Sequence, residues 1–262
     1  MIYICYGITK SASTFLYQLT EEIFRAAGRP IVRLGKPFRK PDSIENYFNF
    51  IDHDLLAAIE SHADGKDVVL KTHGPPCGNV AQMVADGRIL ANASIRDPRE
   101  IALSMIDHGD RSRRWRVFSF SEFATVADTL NAIDIQLGVF RDWAAAGPVE
   151  IFTYNDICYD SASVVQAIAR QIGATVDSAS VLDRFRHKGS IGQFSKGKAL
   201  RYSEMDAADQ TIFLERYADL YAAFSFETEA ARRVAAEQAS LTLRPTGEFA
   251  QRITNIRRRF RI

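Results

Sequence analysis

Short apolar runs alternate along the chain with longer stretches in which apolar residues recur every three or four positions. The short runs predict buried strands at residues 2–6, 31–34, 68–70, 89–95 and 149–152. The periodic stretches predict helices at residues 11–27, 47–61, 80–85, 98–108, 120–146, 161–172 and 203–224, with a further helical stretch from residue 227. This alternation is typical of an α/β domain with a central, mostly parallel sheet flanked by helices.

Polar residues cluster where three of these strands end. Residues 7–14 follow the first strand, residues 71–73 follow the third, and Arg96 follows the fourth. Because ligands of parallel sheets bind beyond the carboxyl ends of the strands, we expect these segments to converge on one site.

Length and composition set the class of protein but not its function. The 262 residues are 47% hydrophobic and 25% charged, as in an ordinary globular protein. We predict one domain over residues 1–225, with a helical C-terminal extension over residues 226–262 packed on it or trailing from it. The net charge of +1 gives no global basic field of the kind that binds nucleic acid, so any anion site must be local.

The cysteines and the N-terminus indicate the compartment. Cys5, Cys77 and Cys158 lie far apart and form no metal-binding or disulfide pattern, which suits a reducing environment. The apolar run at the N-terminus is too short for a signal peptide or a membrane span. We therefore expect a cytoplasmic protein with no transmembrane segment.

The segment GITKSAST at residues 7–14 joins a strand to a helix and has the composition of a phosphate-binding loop. Amides at a helix start bind anions, Lys10 adds a charge, and Ser11, Ser13 and Thr14 add hydroxyl donors. The second glycine of the Walker motif is missing, which weakens an ATPase or GTPase interpretation. A capped helix after a tight turn, with Lys10 merely exposed, fits this segment equally well.

Two further groups of residues are candidates for chemistry. Arg96 and Ser104 lie eight positions apart, at a strand end and two turns into the next helix, so that both could meet one phosphate. His73 follows an apolar strand and precedes Gly74-Pro75-Pro76, which is a plausible place for a general base. A turn cap, a helix-packing serine and a loop histidine are the structural alternatives for these three residues.

Taken together, five segments resemble motifs of the cytosolic-type sulfotransferase family, in the family's order. GITKSASTFL at residues 7–16 resembles the 5′-phosphosulfate loop T-Y-P-K-S-G-T-T-W-L, and residues 71–73 resemble the K-T-H segment. IRDPREIALS at residues 95–104 resembles the 3′-phosphate motif R-N-P-K-D with its following serine. YNDI at residues 154–157 resembles Y-E-D-L, and KGSIGQF at residues 188–194 resembles the closing loop R-K-G-x-x-G-D-W.

The resemblance implies a P-loop-like sulfotransferase fold and an activity. A sulfuryl group would pass directly from 3′-phosphoadenosine-5′-phosphosulfate (PAPS) to a hydroxyl of a small-molecule or carbohydrate acceptor, without a metal. Lys10 would contact the bridge between phosphate and sulfate, His73 would deprotonate the acceptor, and Lys71 would add positive charge. The residues implied for the nucleotide are Lys10, Ser11, Ala12, Ser13, Thr14, Phe15, Arg96, Ser104, Tyr154, His187, Lys188 and Gly189.

The chain also departs from the family's pattern. Ala12 replaces a glycine, Phe15 replaces a tryptophan that stacks on adenine, and His187 stands in the place of an arginine. The acceptor pocket is expected in residues 38–50, 75–80 and 108–123. The basic run DRSRRWR at residues 110–116 is either part of that pocket or a solvated surface.

Two rival functions remain open from the sequence. One is a P-loop kinase that uses ATP, and the other is a catalytically silent module that binds adenosine 3′,5′-bisphosphate (PAP) or a partner. A homodimer is possible, and the sequence does not assign a role to the basic C-terminal tail.

Overall fold

A parallel β-sheet forms the centre of the computed structural model, which describes residues 1–38, 46–192 and 196–242. Within these residues the sheet has four strands, β1 (Ile2–Gly7), β2 (Val68–Thr72), β3 (Leu90–Ile95) and β4 (Val149–Thr153). They lie in the order β2-β1-β3-β4, and every neighbouring pair is parallel. The predicted α/β class with a central parallel sheet is confirmed.

Helices cover both faces of this sheet. They are α1 (Ser13–Ala26), α2 (His53–Ala63), α3 (Gly78–Ala85), α4 (Pro98–Trp115), α5 (Val126–Ala145), α6 (Tyr154–Tyr159), α7 (Ser161–Gln171), α8 (Ser178–Asp183), α9 (Ala207–Arg216), α10 (Ala218–Ala223) and α11 (Glu229–Thr242). Short 3-10 turns occur at Lys188–Ser190 and Arg201–Glu204. Among the described residues, none of these helices is both long and apolar enough to span a bilayer.

The two faces of the sheet bury separate hydrophobic cores, because successive residues of a strand point to opposite sides. Ile4 and Tyr6 of β1 pack with residues of α2 to α5, and Tyr6 stacks on the buried Trp143 of α5 with ring centroids 5.7 Å apart. Tyr3 and Cys5 face the other way and pack with residues of α1 and α7. β1 is therefore buried on both faces, as its unbroken apolar sequence predicts.

The predicted strand at residues 31–34 is wrong. Ile31 forms only an isolated bridge with Asp67. The amide of Leu34 donates instead to the side-chain oxygen of Asn46, at 2.8 Å. The side chain of Asn46 thus accepts the hydrogen bond that the backbone of a neighbouring strand would have accepted.

Three predicted helix boundaries also need correction. The helix predicted from residue 47 begins at His53, since Asp52 caps it by accepting from the amide of Leu55 at 2.8 Å. The helix predicted from residue 120 begins at Val126, where Thr125 and Asp128 form a capping box. The helix predicted over residues 203–224 is divided into α9 and α10.

Candidate active site

The loop between β1 and α1 is a tight turn that leaves the first turn of α1 open. Lys10 and Ala12 have positive φ angles of 70° and 64°. A Cβ atom at Gly7 would overlap the side chains of Ser94 and Ser13, so that only glycine allows this close approach. The N-cap residue of α1, Ala12, has no side-chain oxygen to accept from the first amides of the helix. These amides can therefore bind an anion, helped by the helix dipole.

Ser11 holds the loop together. Its fully buried hydroxyl donates to the carbonyl of Ile8 at 2.6 Å and lies 2.6 Å from the hydroxyl of Ser94. Ser13 and Thr14 line the adjacent cavity, whereas Ser11 does not. Of the three predicted hydroxyl donors, Ser13 and Thr14 are thus the ones whose side chains face the space for a ligand.

A cavity of about 890 Å³ opens beside this loop, in the size range of sites for small molecules and cofactors. Eight of the predicted site residues line it: Lys10, Ala12, Ser13, Thr14, Phe15, Arg96, Ser104 and Tyr154. The cationic side chains among its described lining residues are Lys10, Arg96, Arg111, Lys196, Lys198 and Arg201, and no carboxylate is among them. The charge of this cavity suits a ligand with several negative charges.

Arg96 is held in place on several sides. Its buried guanidinium pairs with Glu100 at 2.8 Å and lies 3.8 Å from the ring centroid of Tyr154. It also donates to the main-chain carbonyl of Lys10, at 3.3 Å. Arg96 therefore connects the start of α4 to the β1–α1 loop, on the cavity wall where the 3′-phosphate motif predicts it.

The ammonium group of Lys10 contacts no carboxylate among the described residues. It lies 2.5 Å from Nδ1 of His108 and 4.2 Å above the ring of Phe120. Burial, and next the charge of Arg111, lower the pKa of Lys10 to about 8. A partly buried cation without an acidic partner is available to neutralise a bound anion.

Lys71 and His73 lie beside the loop rather than on the cavity wall. The ammonium of Lys71 donates to the hydroxyl of Thr14 at 2.8 Å, and burial lowers the pKa of Lys71 to about 8. Nδ1 of His73 bonds to the carbonyl of Gly7, which can only accept. Burial, and next the charge of Lys71, lower the pKa of His73 to about 4. At neutral pH the ring is therefore uncharged, with its proton on Nδ1 and a lone pair on Nε2.

The predicted closing loop is only partly brought to the cavity. Ile191 and Gly192 line it, and the amide of Gly192 donates to the side chain of Gln18 of α1 at 2.8 Å. His187 and Gly189 are exposed and are not among the lining residues. The side chain of Lys188 and residues 193–195 lie outside the described part of the chain, so nucleotide binding by residues 187–189 stays a prediction.

Three cations that the sequence analysis did not single out line the cavity after this loop. The guanidinium of Arg201 is buried and pairs with Asp107 and Glu204, both at 2.8 Å. Lys196 pairs with Asp107 at 2.8 Å, and Lys198 pairs with Glu204 at 2.9 Å. In the sequence these three cations form the pattern K-G-K-x-x-R at residues 196–201. This pattern begins inside a stretch with the composition of a loop and ends just after it.

Helix α11 holds this cationic segment in place. The side chain of Gln238 donates to the carbonyl of Gly197 at 3.0 Å and accepts from the amide of Ala199 at 3.1 Å. Val234 and Gln238 themselves line the cavity. The C-terminal helix thus forms part of the candidate site.

The described residues contain no group of three or more His, Cys, Asp or Glu side chains placed to hold a metal ion. The metal-free reaction that the family resemblance implies stays a prediction.

Known proteins were compared with this chain by sequence and by fold. No protein-family model matches it, and no curated protein is similar enough in sequence to count as a match. Among solved structures, it resembles retinol dehydratase in complex with androsterone and PAP, with a TM-score of 0.51 and 16% identity over 83% of this chain and 79% of that one.

It also resembles the mouse sulfotransferase SULT7A1 complexed with PAP, with a TM-score of 0.52 and 13% identity over 89% of this chain and 87% of that one. At such low identity the likeness shows the architecture alone. The chain has the P-loop-like fold of the sulfotransferases.

Proposed function

We propose that this protein is a sulfotransferase that uses PAPS as its donor and a hydroxyl compound as its acceptor. The observation that carries the proposal is the cavity beside the β1–α1 loop. Its described lining residues include six cations and no carboxylate, and Lys10 at its wall contacts His108 but no carboxylate of those residues. PAPS carries a phosphosulfate and a second phosphate, so its charge matches this lining. The structures of similar fold hold PAP, the product that remains after transfer.

The donor would lie with its phosphosulfate against the start of α1. The open amides of this helix, the hydroxyls of Ser13 and Thr14, and Lys10 supply the donors and the charge for that group. Phe15 lines the same cavity and offers an aromatic face to the adenine.

The second phosphate would meet further cations of the cavity wall. Arg96 and Ser104 are the residues that the 3′-phosphate motif predicts, and both line the cavity. Lys196, Lys198 and Arg201 add three cations against the two carboxylates of Asp107 and Glu204. This cluster therefore keeps a net positive charge for the ligand.

The transfer itself would be a single in-line displacement. The acceptor oxygen forms a bond to sulfur while the bond from sulfur to the bridging oxygen breaks, and the electron pair of that bond stays on the 5′-phosphate of PAP. Lys10 stabilises the charge that develops on this leaving oxygen. The hydroxyl proton of the acceptor passes to Nε2 of His73.

The bond from His73 to Gly7 fixes which nitrogen acts as the base. With the proton on Nδ1 held by the carbonyl of Gly7, Nε2 is the nitrogen that can accept a proton. The pKa of about 4 is lowered in part by the charges of Lys71 and Lys10. A bound phosphosulfate offsets these charges, so donor binding raises the pKa of His73 toward the range that suits a general base.

The test is transfer of labelled sulfate from PAPS to a panel of phenols, aliphatic alcohols and sugars. Lys10→Ala and His73→Asn serve as inactive controls. Labelled product that depends on both residues supports the proposal. The absence of transfer from PAPS, with phosphate transfer from ATP under the same conditions, would establish the kinase instead.

A further inference from the structure

The end of α4 and the residues after it carry a set of side chains that point into solvent. We call this set the aromatic tip, and it consists of Arg114, Trp115, Arg116, Val117 and Phe118. The exposed fractions of Trp115 and Phe118 are 76% and 92%, the highest among the large apolar side chains of the described residues. An exposed apolar group of this kind indicates an interaction surface.

The segment that presents the aromatic tip is firmly held. Arg113 donates to the carbonyls of Ser121 and Phe123 at 2.7 and 2.9 Å, which ties the following loop to α4. A Cβ atom at Gly109 would overlap the carbonyls of Phe120 and Phe123, so this loop lies directly against the helix. The exposure of Trp115 and Phe118 is thus part of the fold.

The charge around the aromatic tip is positive. Arg114 and Arg116 are exposed and contact no carboxylate of the described residues, while Arg113 pairs with Asp110. Arginines next to protruding aromatic residues match an anionic lipid surface, where the arginines meet head groups and the rings enter the interface. Phe118, the most exposed of the large apolar side chains in the described residues, offers no hydrogen bond to a glycan, and this favours hydrocarbon as the contact.

The aromatic tip leads directly into the candidate active site. Phe120 lies two residues beyond Phe118, stacks on His108 with centroids 4.7 Å apart, and lies under the ammonium of Lys10. Arg111, one turn before the tip, lines the cavity. A surface bound to the aromatic tip would thus lie close to Lys10 and the cavity of the candidate active site.

We propose that the aromatic tip docks on an anionic lipid surface and brings the active site to an acceptor located there. The docking stands without the proposed function, whereas delivery of an acceptor rests on it.

Docking is tested on the full-length protein with vesicles of phosphatidylcholine alone and vesicles that also contain phosphatidylglycerol in equal part. The protein should sediment with the anionic vesicles, and salt should weaken this binding. Fluorescence gives a second reading, because the chain has two tryptophans and Trp143 is fully buried. A blue shift on vesicle binding therefore reports the entry of Trp115 into the interface.

Two variants and their matched controls identify the surface. Arg114→Glu/Arg116→Glu and Phe118→Ser should each lower the vesicle partition coefficient by about tenfold or more. Arg88→Glu/Arg170→Glu makes the same change of charge at exposed sites elsewhere, and Leu214→Ser removes another exposed apolar side chain. Both controls should bind vesicles like the wild type.

Three results would overturn the docking proposal. They are equal binding to neutral and anionic vesicles, unchanged binding of the aromatic-tip variants, and concentration-dependent dimerisation that Phe118→Ser abolishes in the absence of lipid. PAP binding is measured on the same samples. A wild type that binds PAP but neither kind of vesicle refutes the docking alone, and a wild type that binds anionic vesicles but not PAP refutes the proposed function alone.

Discussion

Lys10 is a cation that the fold holds in a partly buried position. Its pKa of about 8 lies well below the ordinary value of 10.5 because the side chain is partly buried and near Arg111. At pH 7 the ammonium is charged and ready to bind an anion. Above pH about 8 the free protein loses this proton, and binding of an anionic donor must restore it.

Donor binding should therefore depend on pH in a defined direction. We expect the affinity for PAP to fall as the pH rises from about 7 to about 9, with net proton uptake on binding at the higher pH. Calorimetry in buffers of different ionisation heat measures this uptake. Lys10→Ala should take up less than the wild type. Proton release on binding at high pH would contradict the assignment.

His73 should be needed for turnover but not for donor binding. We expect His73→Asn to lower the rate of transfer by ~10²–10⁴-fold, because a general base contributes about that much. The Kd for PAP should change little, since His73 is not among the residues that line the cavity. A loss of PAP affinity equal to the loss of rate would assign His73 to binding instead.

The same histidine should also affect stability in acid. Its pKa is about 4 in the folded protein against 6.5 unfolded, so the unfolded chain binds the proton first as the pH falls. The wild type should lose up to roughly 3 kcal/mol between pH about 6.5 and about 4, and His73→Asn should not show this loss. Urea unfolding across this pH range measures the difference. If the free energies of unfolding of the two proteins change in parallel over this pH range, the pKa of His73 is not lowered in the folded protein.

Ala12 allows a test of the strain in the phosphate loop. At the φ angle of 64°, alanine destabilises the folded state by about 1 kcal/mol relative to glycine. Ala12→Gly removes this strain, but it also makes the unfolded chain more flexible, which cancels part of the gain in stability. We expect Ala12→Gly to leave the free energy of unfolding unchanged or to raise it by up to about 1 kcal/mol. Ala144→Gly, in the exposed face of α5, should lower it by about 1 kcal/mol. An equal loss in both variants would contradict the left-handed backbone of Ala12.

At the scale of elements, α11 connects the C-terminal part of the chain to the cavity. Gln238 of this helix bonds to the main chain of Gly197 and Ala199, on either side of Lys198. The helix was predicted only as an extension packed on the domain or trailing from it. Its side chains Val234 and Gln238 line the candidate site.

Loss of the bonds from Gln238 should weaken nucleotide binding. We expect Gln238→Ala to raise the Kd for PAP by about tenfold, because two hydrogen bonds that position the cationic segment are lost. The salt dependence of binding should also become shallower. Gln82→Ala removes an exposed glutamine of α3 that bonds to Asp86, and it should bind PAP like the wild type. If both variants bind PAP normally, α11 plays no part in the donor site.

The sequence predicts the sheet better than it predicts the loops. Strands β1, β2 and β3 are almost wholly buried, whereas in β4 only Phe152 and Thr153 are, and local pattern suffices to find all four. Residues 31–34 have the same pattern, yet the side chain of Asn46 takes the amide bond of Leu34. The local pattern K-G-K-x-x-R shows Arg201 as a cation but not its place in the cavity, because that place depends on Asp107 of α4, far away in the chain.

At the scale of the whole molecule, the fold and the cavity point to one kind of ligand, although the sequence matches no family model. The β1–α1 loop, the start of α4 and the segment with Arg201 come from distant parts of the chain and surround one space. Their shared property is positive charge, and no carboxylate is among the described residues that line the space. The central claim is that this space binds PAP in preference to ATP.

The most direct test is calorimetric titration of PAP against ATP, on the wild type, on Arg96→Ala and on Ser104→Ala. Ser104→Ala is included because loss of the buried Arg96 could disturb folding, which thermal unfolding of each variant would reveal. We expect PAP to bind selectively and both substitutions to weaken its binding. Equal binding of ATP and PAP, or binding of neither by the folded wild type, would contradict this expectation.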